Sequence, residues 1–71
     1  MSRPAAIRLN GDPTEVPEGQ PVLELLGGLG VEVAGVVVEI NRRVLRAPDL
    51  AGVTLHDGDE VEVVRFVGGG W

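Results

Sequence analysis

The chain has 71 residues, no cysteine, no lysine and a formal net charge of −5. A chain this short makes at most one domain and buries only roughly 60% of the surface its unfolded form exposes, against the about 300–1,000 Å³ that a ligand pocket usually needs. Size therefore favours a carrier, an adaptor or a binding module over an enzyme. The missing cysteine excludes a disulfide scaffold, a zinc ribbon and a catalytic thiol. The acidic balance disfavours a phosphate backbone as partner, so nucleic acid is not expected. No apolar run follows Met1-Ser2-Arg3-Pro4 and no stretch is long enough to span a bilayer, so a cytoplasmic protein without membrane contact is expected.

Ala5 to Leu9 reads as a first strand, with Ile7 and Leu9 pointing the same way. Asn10-Gly11 is a hairpin signal, because both residues tolerate positive φ. Thr14 to Val16 returns, and Pro17-Glu18-Gly19 breaks the strand. A helix follows, with Pro21 expected at its first position. Val22, Leu25, Leu26 and Leu29 fall at i, i+3, i+4 and i+7 and make one apolar stripe. Gly27 and Gly28 each cost about 1 kcal/mol relative to alanine inside a helix, so this helix needs a sheet to pack on. Gly30 stops it.

Val36-Val37-Val38-Glu39-Ile40 reads as a central strand buried on both faces. Asn41-Arg42 turns the chain into a short return strand, Arg43 to Leu45. Pro48 to Ala51 makes one loose helical turn. His56-Asp57-Gly58-Asp59 turns again, and Glu60 to Val67 is the last strand. One layer of mixed sheet crossed by one helix satisfies the packing rule with a single core, which is the β-grasp architecture. The expected division is a domain over 1–67 and a flexible glycine-rich tail over 68–71.

Three other features have bland readings that outweigh the sharp ones. Gly27-Gly28-Leu29-Gly30 lacks the full dinucleotide pattern and is a weakened helix end. His56 to Glu60 brings an imidazole and three carboxylates together, yet Asp-Gly-Asp is turn chemistry, so no metal is expected. Arg42, Arg43 and Arg46 form a basic cluster that reads as a solvated face, with a docking patch as the lesser reading. Val64 and Phe66 leave two readings open. Strict alternation makes them an exposed apolar strip beside the glycines, and a bulge would turn them into core.

With these marks in hand, the chain resembles the ThiS/MoaD family of ubiquitin-like sulfur carriers, and its ThiS members most. The resemblance rests on Ile7 to Gly11, Gln20 to Leu26, and Val36 to Asn41 as a strand ending in Asn. It also rests on Asp57-Gly58-Asp59-Glu60-Val61-Glu62 and on Phe66-Val67-Gly68-Gly69-Gly70. It implies a ubiquitin-like fold with no cofactor and no turnover of its own. In the family, a ThiF-like enzyme adenylates the Gly-Gly carboxylate with ATP, and the adenylate becomes a thiocarboxylate. The sulfur then goes to a ThiG-like thiazole synthase in thiamine synthesis, or to another acceptor in related pathways. Carried over, Gly69 and Gly70 are the reactive end and Gly68 helps to thread it.

Two departures stand out. At Leu45-Arg46-Ala47 the family often shows Val-Pro-Arg. Trp71 follows Gly70, where family members usually end at the second glycine, so the resemblance implies a metalloprotease that removes it. The physical chemistry agrees with a working tail. A free terminal carboxylate, with a pKa near about 3.5, is ionised and nucleophilic at neutral pH. Glycine has no Cβ to jam a narrow channel. Four extended residues from Val67 reach on the order of 13 Å. The contrasting class is a non-carrier β-grasp adaptor, in which Trp71 stays and binds. Other sulfur acceptors (for the molybdenum cofactor, cysteine or a secondary metabolite) also stay open.

Overall fold

In the computed structural model, which describes residues 3–65, β1 (Pro4–Leu9) and β2 (Asp12–Pro17) form the expected hairpin. Helix α1 (Val22–Leu29) follows, then a 3-10 turn at Val33–Gly35 and β3 (Val36–Ile40). Next come β4 (Arg43–Leu45), a four-residue helix α2 (Ala47–Leu50), and β5 (Glu60–Arg65). The five strands lie in the order β2-β1-β5-β3-β4. β1 and β5 run parallel, and the other pairs are antiparallel. Both expected turns use left-handed backbone: Asn10 and Gly11 have φ of 51° and 85°, and Asn41 and Arg42 have 51° and 71°.

Two expectations about α1 are corrected. Pro21 is the N-cap, not the first helical residue, with extended ψ of 135°. Its carbonyl accepts from Glu24, and the residue bridges to Thr54, so its missing N–H still costs nothing. Leu29, placed on the apolar stripe, is 46% exposed. The helix ends there, because Gly30 turns left-handed at φ 75°. The Gly30 N–H then reaches the Gly27 carbonyl and the Val31 N–H the Leu26 carbonyl, a paired closure that satisfies two terminal carbonyls. Val31 packs on the core instead.

The core lies between α1 and one sheet face. Leu26, Leu50 and Leu55 are fully buried there with Val22, Val38 and Val61. Each such leucine contributes about 1.5–3 kcal/mol by leaving water. The reading of β3 is also corrected. β5 is the central strand, and β3 alternates buried and half-buried residues. Val36, Val38 and Ile40 face the core, and Val37 and Glu39 take the other side. The single helix layer covers one face of the sheet, so a β-branched run here is half-buried. No helix of the described residues is long and apolar enough to cross a membrane.

Candidate functional site

The glycine run follows β5, so the site is built on that strand. Phe66, Gly68, Gly69, Gly70 and Trp71 lie outside the described residues, as does the expected boundary after residue 67. The strand that leads to them is held from both sides by an asparagine. On one side, the Asn10 N–H donates to the Val61 carbonyl (2.8 Å), and its side-chain Oδ1 accepts from the Val63 N–H (2.8 Å). On the other, the Asn41 N–H donates to the Glu60 carbonyl (2.8 Å), and its Oδ1 accepts from the Glu60 N–H (3.0 Å). Asn41 Nδ2 also donates to Asp59 Oδ1 (2.9 Å), and Asp59 Oδ2 accepts from the His56 N–H (2.8 Å).

Asparagine suits both places for one reason. It tolerates the left-handed turn, and its amide can reach a neighbouring strand. The hairpin turns thus extend the sheet's bonding onto β5 where β1 and β3 have already ended. Sequence reasoning marked Asn10 and Asn41 as turn residues and missed them as clamps. Their partners stand 53 and 18–19 positions away. The available signal was an Asn, and no other left-handed residue type, opening both hairpin turns.

The Asp57-Gly58-Asp59 segment is occupied by the same kind of work. Asp57 Oδ1 accepts from the Ala6 N–H (2.7 Å), and the Gly58 N–H donates to the Ala6 carbonyl (2.8 Å). His56 Nδ1 donates to Glu18 Oε2 (2.5 Å), and Glu18 Oε1 accepts from the Asp57 N–H (3.0 Å). The other imidazole nitrogen meets the Thr54 hydroxyl at 3.0 Å. The hydrogen bond from His56, then that from the Asp57 N–H, holds the Glu18 carboxyl below its ordinary value of 4.5. The hydrogen bond to Glu18 raises His56 above its ordinary 6.5.

The signs set a pH window. The share of stability from His56 is complete below pH 6.5 and is lost as pH rises through its raised value. The share from Glu18 is complete above pH 4.5 and is lost as pH falls through its lowered value. Glu18→Gln therefore lowers the melting temperature most between pH 4.5 and 6.5, with a gap that shrinks on both sides. Thermal melts of both proteins across that range check this. A gap independent of pH contradicts it.

The candidate surface residues separate. Val64 is 52% exposed while Val61 is buried and Val63 half-buried, and the register from Val36↔Arg65 to Ile40↔Val61 runs without a bulge. Val64 therefore faces outward beside Val37. The three arginines do not form one cluster. Arg42 lines a shallow depression of about 220 Å³ with Arg8, Glu39, Glu60 and Glu62. Arg43 lines a different open groove of about 790 Å³ with Asn41, His56 and Asp59. Arg46 is the exposed N-cap of α2 and lines neither. Arg42 and Arg43 are neighbours in sequence, but the turn between β3 and β4 sends them to separate hollows.

A family model described as the ThiS family matches residues 7–70. This chain belongs to the ThiS family. Its described fold agrees: a crystal structure of the thiamine biosynthesis protein ThiS from Geobacter metallireducens is 41% identical, with a TM-score of 0.75 over 92% of this chain and 99% of that one. A solution structure of a thiamine biosynthesis protein from the same organism gives 40% and 0.72, over 93% and 88%. The β-grasp expectation therefore holds for this ThiS-family chain. The sulfur carrier protein ThiS of Thermus thermophilus is 40% identical over 62 residues, which is 87% of this chain and 95% of that protein. Two thiazole synthases also match. That of Magnetococcus marinus is 41% identical over 64 residues, 90% of this chain. That of Paramagnetospirillum magneticum is 39% identical over 62 residues, 87% of this chain. The chain spans about a fifth of the length of these two relatives (20% and 19%).

Proposed function

We propose that this chain is a sulfur carrier for thiazole formation in thiamine biosynthesis, with the sulfur borne on the carboxyl group of Gly70. The observation that carries the reading is the extent of the family match. It runs through Gly70 and leaves Trp71 outside, which supports Gly69-Gly70 as the Gly-Gly end. The chemistry then follows from elementary requirements. While Trp71 is attached, the Gly70 carbonyl is an amide and has no carboxylate oxygen to offer. A protease, a metalloenzyme on the family's pattern, hydrolyses that bond. The freed carboxylate attacks the α-phosphate of ATP in a ThiF-like partner, and pyrophosphate leaves. Sulfide then attacks the acyl carbon and displaces AMP, which leaves the thiocarboxylate. A thiazole synthase takes the sulfur in exchange for an oxygen from water or its substrate, and the carboxylate returns. Two relatives named thiazole synthase contain a stretch like this chain, which supports that acceptor.

The carrier does no chemistry of its own. Gly68 to Gly70 pass through the partner's channel, while the asparagine clamps on β5 fix the point from which they start. Exposed Val64 forms part of the face the partner holds. The cycle is cytoplasmic, where the ATP and the partners are. Purified ThiF-like enzyme, ATP and a sulfur donor test the reading on a chain shortened to end at Gly70. Loading adds the mass difference between sulfur and oxygen. Failure to load under conditions that load another ThiS protein sinks it and moves the adaptor reading forward.

A further inference from the structure

β1 ends before β5 does. Their register pairs are Arg8 with Glu60 and Leu9 with Val61, yet β5 continues to Arg65. In a parallel ladder a residue gives its N–H to one carbonyl of its neighbour and takes the N–H two positions on with its own carbonyl. Asn10 keeps that pattern with one substitution. Its N–H donates to the Val61 carbonyl (2.8 Å), while its side-chain Oδ1 takes the place of its backbone carbonyl and accepts from the Val63 N–H (2.8 Å). At φ 51° for Asn10 and 85° for Gly11 the backbone is already turning into β2, so the side chain carries the ladder one step further.

Among the described residues Val63 is the last one of β5 held from that side. Val64 and Arg65 pair with β3 alone, opposite Val37 and Val36. The Arg8 guanidinium braces the turn by donating to the Gly11 carbonyl (3.3 Å). The hold by the Asn41 side chain lies at the other end of the strand, on Glu60.

We propose that Asn10 is a positioning residue for sulfur loading: through Val63, its side-chain oxygen sets the direction in which β5 hands the chain on toward Gly70. The inference deepens the carrier reading and rests on it. A strand end bonded on both sides keeps one direction, whereas an end bonded to β3 alone swings about that ladder. Five residues beyond Arg65 span at most roughly 17 Å when extended. A tail drawn out to that length in a partner's channel has no slack to absorb a swing at its root, and a displacement of about 1 Å at the reacting carbon costs rate steeply.

The test compares Asn10→Gly with Asn10→Asp in chains ended at Gly70. Loading by the purified adenylating enzyme of the same genome, with ATP and sulfide, is followed by intact mass. Glycine suits the left-handed turn and keeps the backbone bond but has no acceptor, whereas aspartate supplies the acceptor and also tolerates the turn. Asn10→Gly melts about 4–8 °C lower, the size of one exposed hydrogen bond, and its Val63 amide exchanges faster with deuterium. Its kcat for loading falls about tenfold or more, with KM for the carrier within about twofold. Asn10→Asp restores slow exchange at Val63 and a kcat within about twofold of the unaltered chain. Glu18→Gln, whose carboxyl bonds to His56 and Asp57, also melts lower but loads within about twofold of the unaltered rate, which separates positioning from plain loss of stability. An unaltered kcat in Asn10→Gly with fast exchange at Val63 overturns the inference. So does a slow Asn10→Asp that still protects Val63. A raised KM at unaltered kcat overturns it too, since the turn then belongs to the docked surface. Failure of the unaltered chain to load overturns the carrier reading instead.

Discussion

Gly70→Val in a chain shortened to end at residue 70 abolishes sulfur loading and leaves the melting temperature where it was. Both halves follow from where the groups stand. On the proposed reading the activated carboxyl is that of residue 70, so a branched Cβ crowds the carbon that the sulfur nucleophile must approach. It also removes the φ range that lets a tail conform to a channel. The body does not depend on that residue. Among the described residues the core runs from Ala5 to Val61, and the last pair of the sheet is Val36 with Arg65. Gly69→Val has the same effect through threading alone. Loading is followed by intact mass and folding by thermal melts of the same samples. A loaded valine variant contradicts the assignment of Gly70. A valine variant that fails to fold makes the tail structural and contradicts the carrier account.

The second large effect is at Asn41. Asn41→Ala strips Glu60 of the acceptor for its N–H and Asp59 of the donor to its Oδ1, and it puts alanine at φ 51°. Each hydrogen bond is worth about 1 kcal/mol net, with water taking part of its place at this exposed site. The left-handed backbone adds about 1 kcal/mol for a residue with a Cβ and no local side-chain bond. The sum is about 2–3 kcal/mol. At about 4–8 °C per kcal/mol for a domain this small, the melting temperature falls by roughly 8–24 °C. Asn41→Gly separates the causes: it loses the same bonds but tolerates the turn, so it costs about 1 kcal/mol less than the alanine. Asp59→Ala combined with Asn41→Ala costs less than the two added together, because they share a bond. Full additivity contradicts the clamp.

The two asparagines show what could be read from the chain and what could not. Asn10-Gly11 and Asn41-Arg42 announce hairpins because their residue types suit a positive φ, and that signal is local. The hooks onto β5 are not local. They depend on β5 lying between a parallel β1 and an antiparallel β3, which no stretch of sequence states. The same limit explains β3. Its β-branched run is compatible with burial on one face or two, and only the number of helix layers decides. Arg42 and Arg43 read as a patch because they are adjacent, whereas a strand entrance sends neighbours apart. The helix was legible through Val22 and Leu26, and its end through Gly30. For the site, the order was reversed. The glycine tail is written in the sequence alone, and the structure adds the clamped strand that precedes it.

The most direct test of the carrier account is the intact mass of the protein isolated from its own cells. The account predicts a population whose last residue is Gly70, part of it carrying one sulfur in place of one oxygen. A protein that keeps Trp71 throughout and never carries sulfur, in cells actively making thiamine, contradicts it.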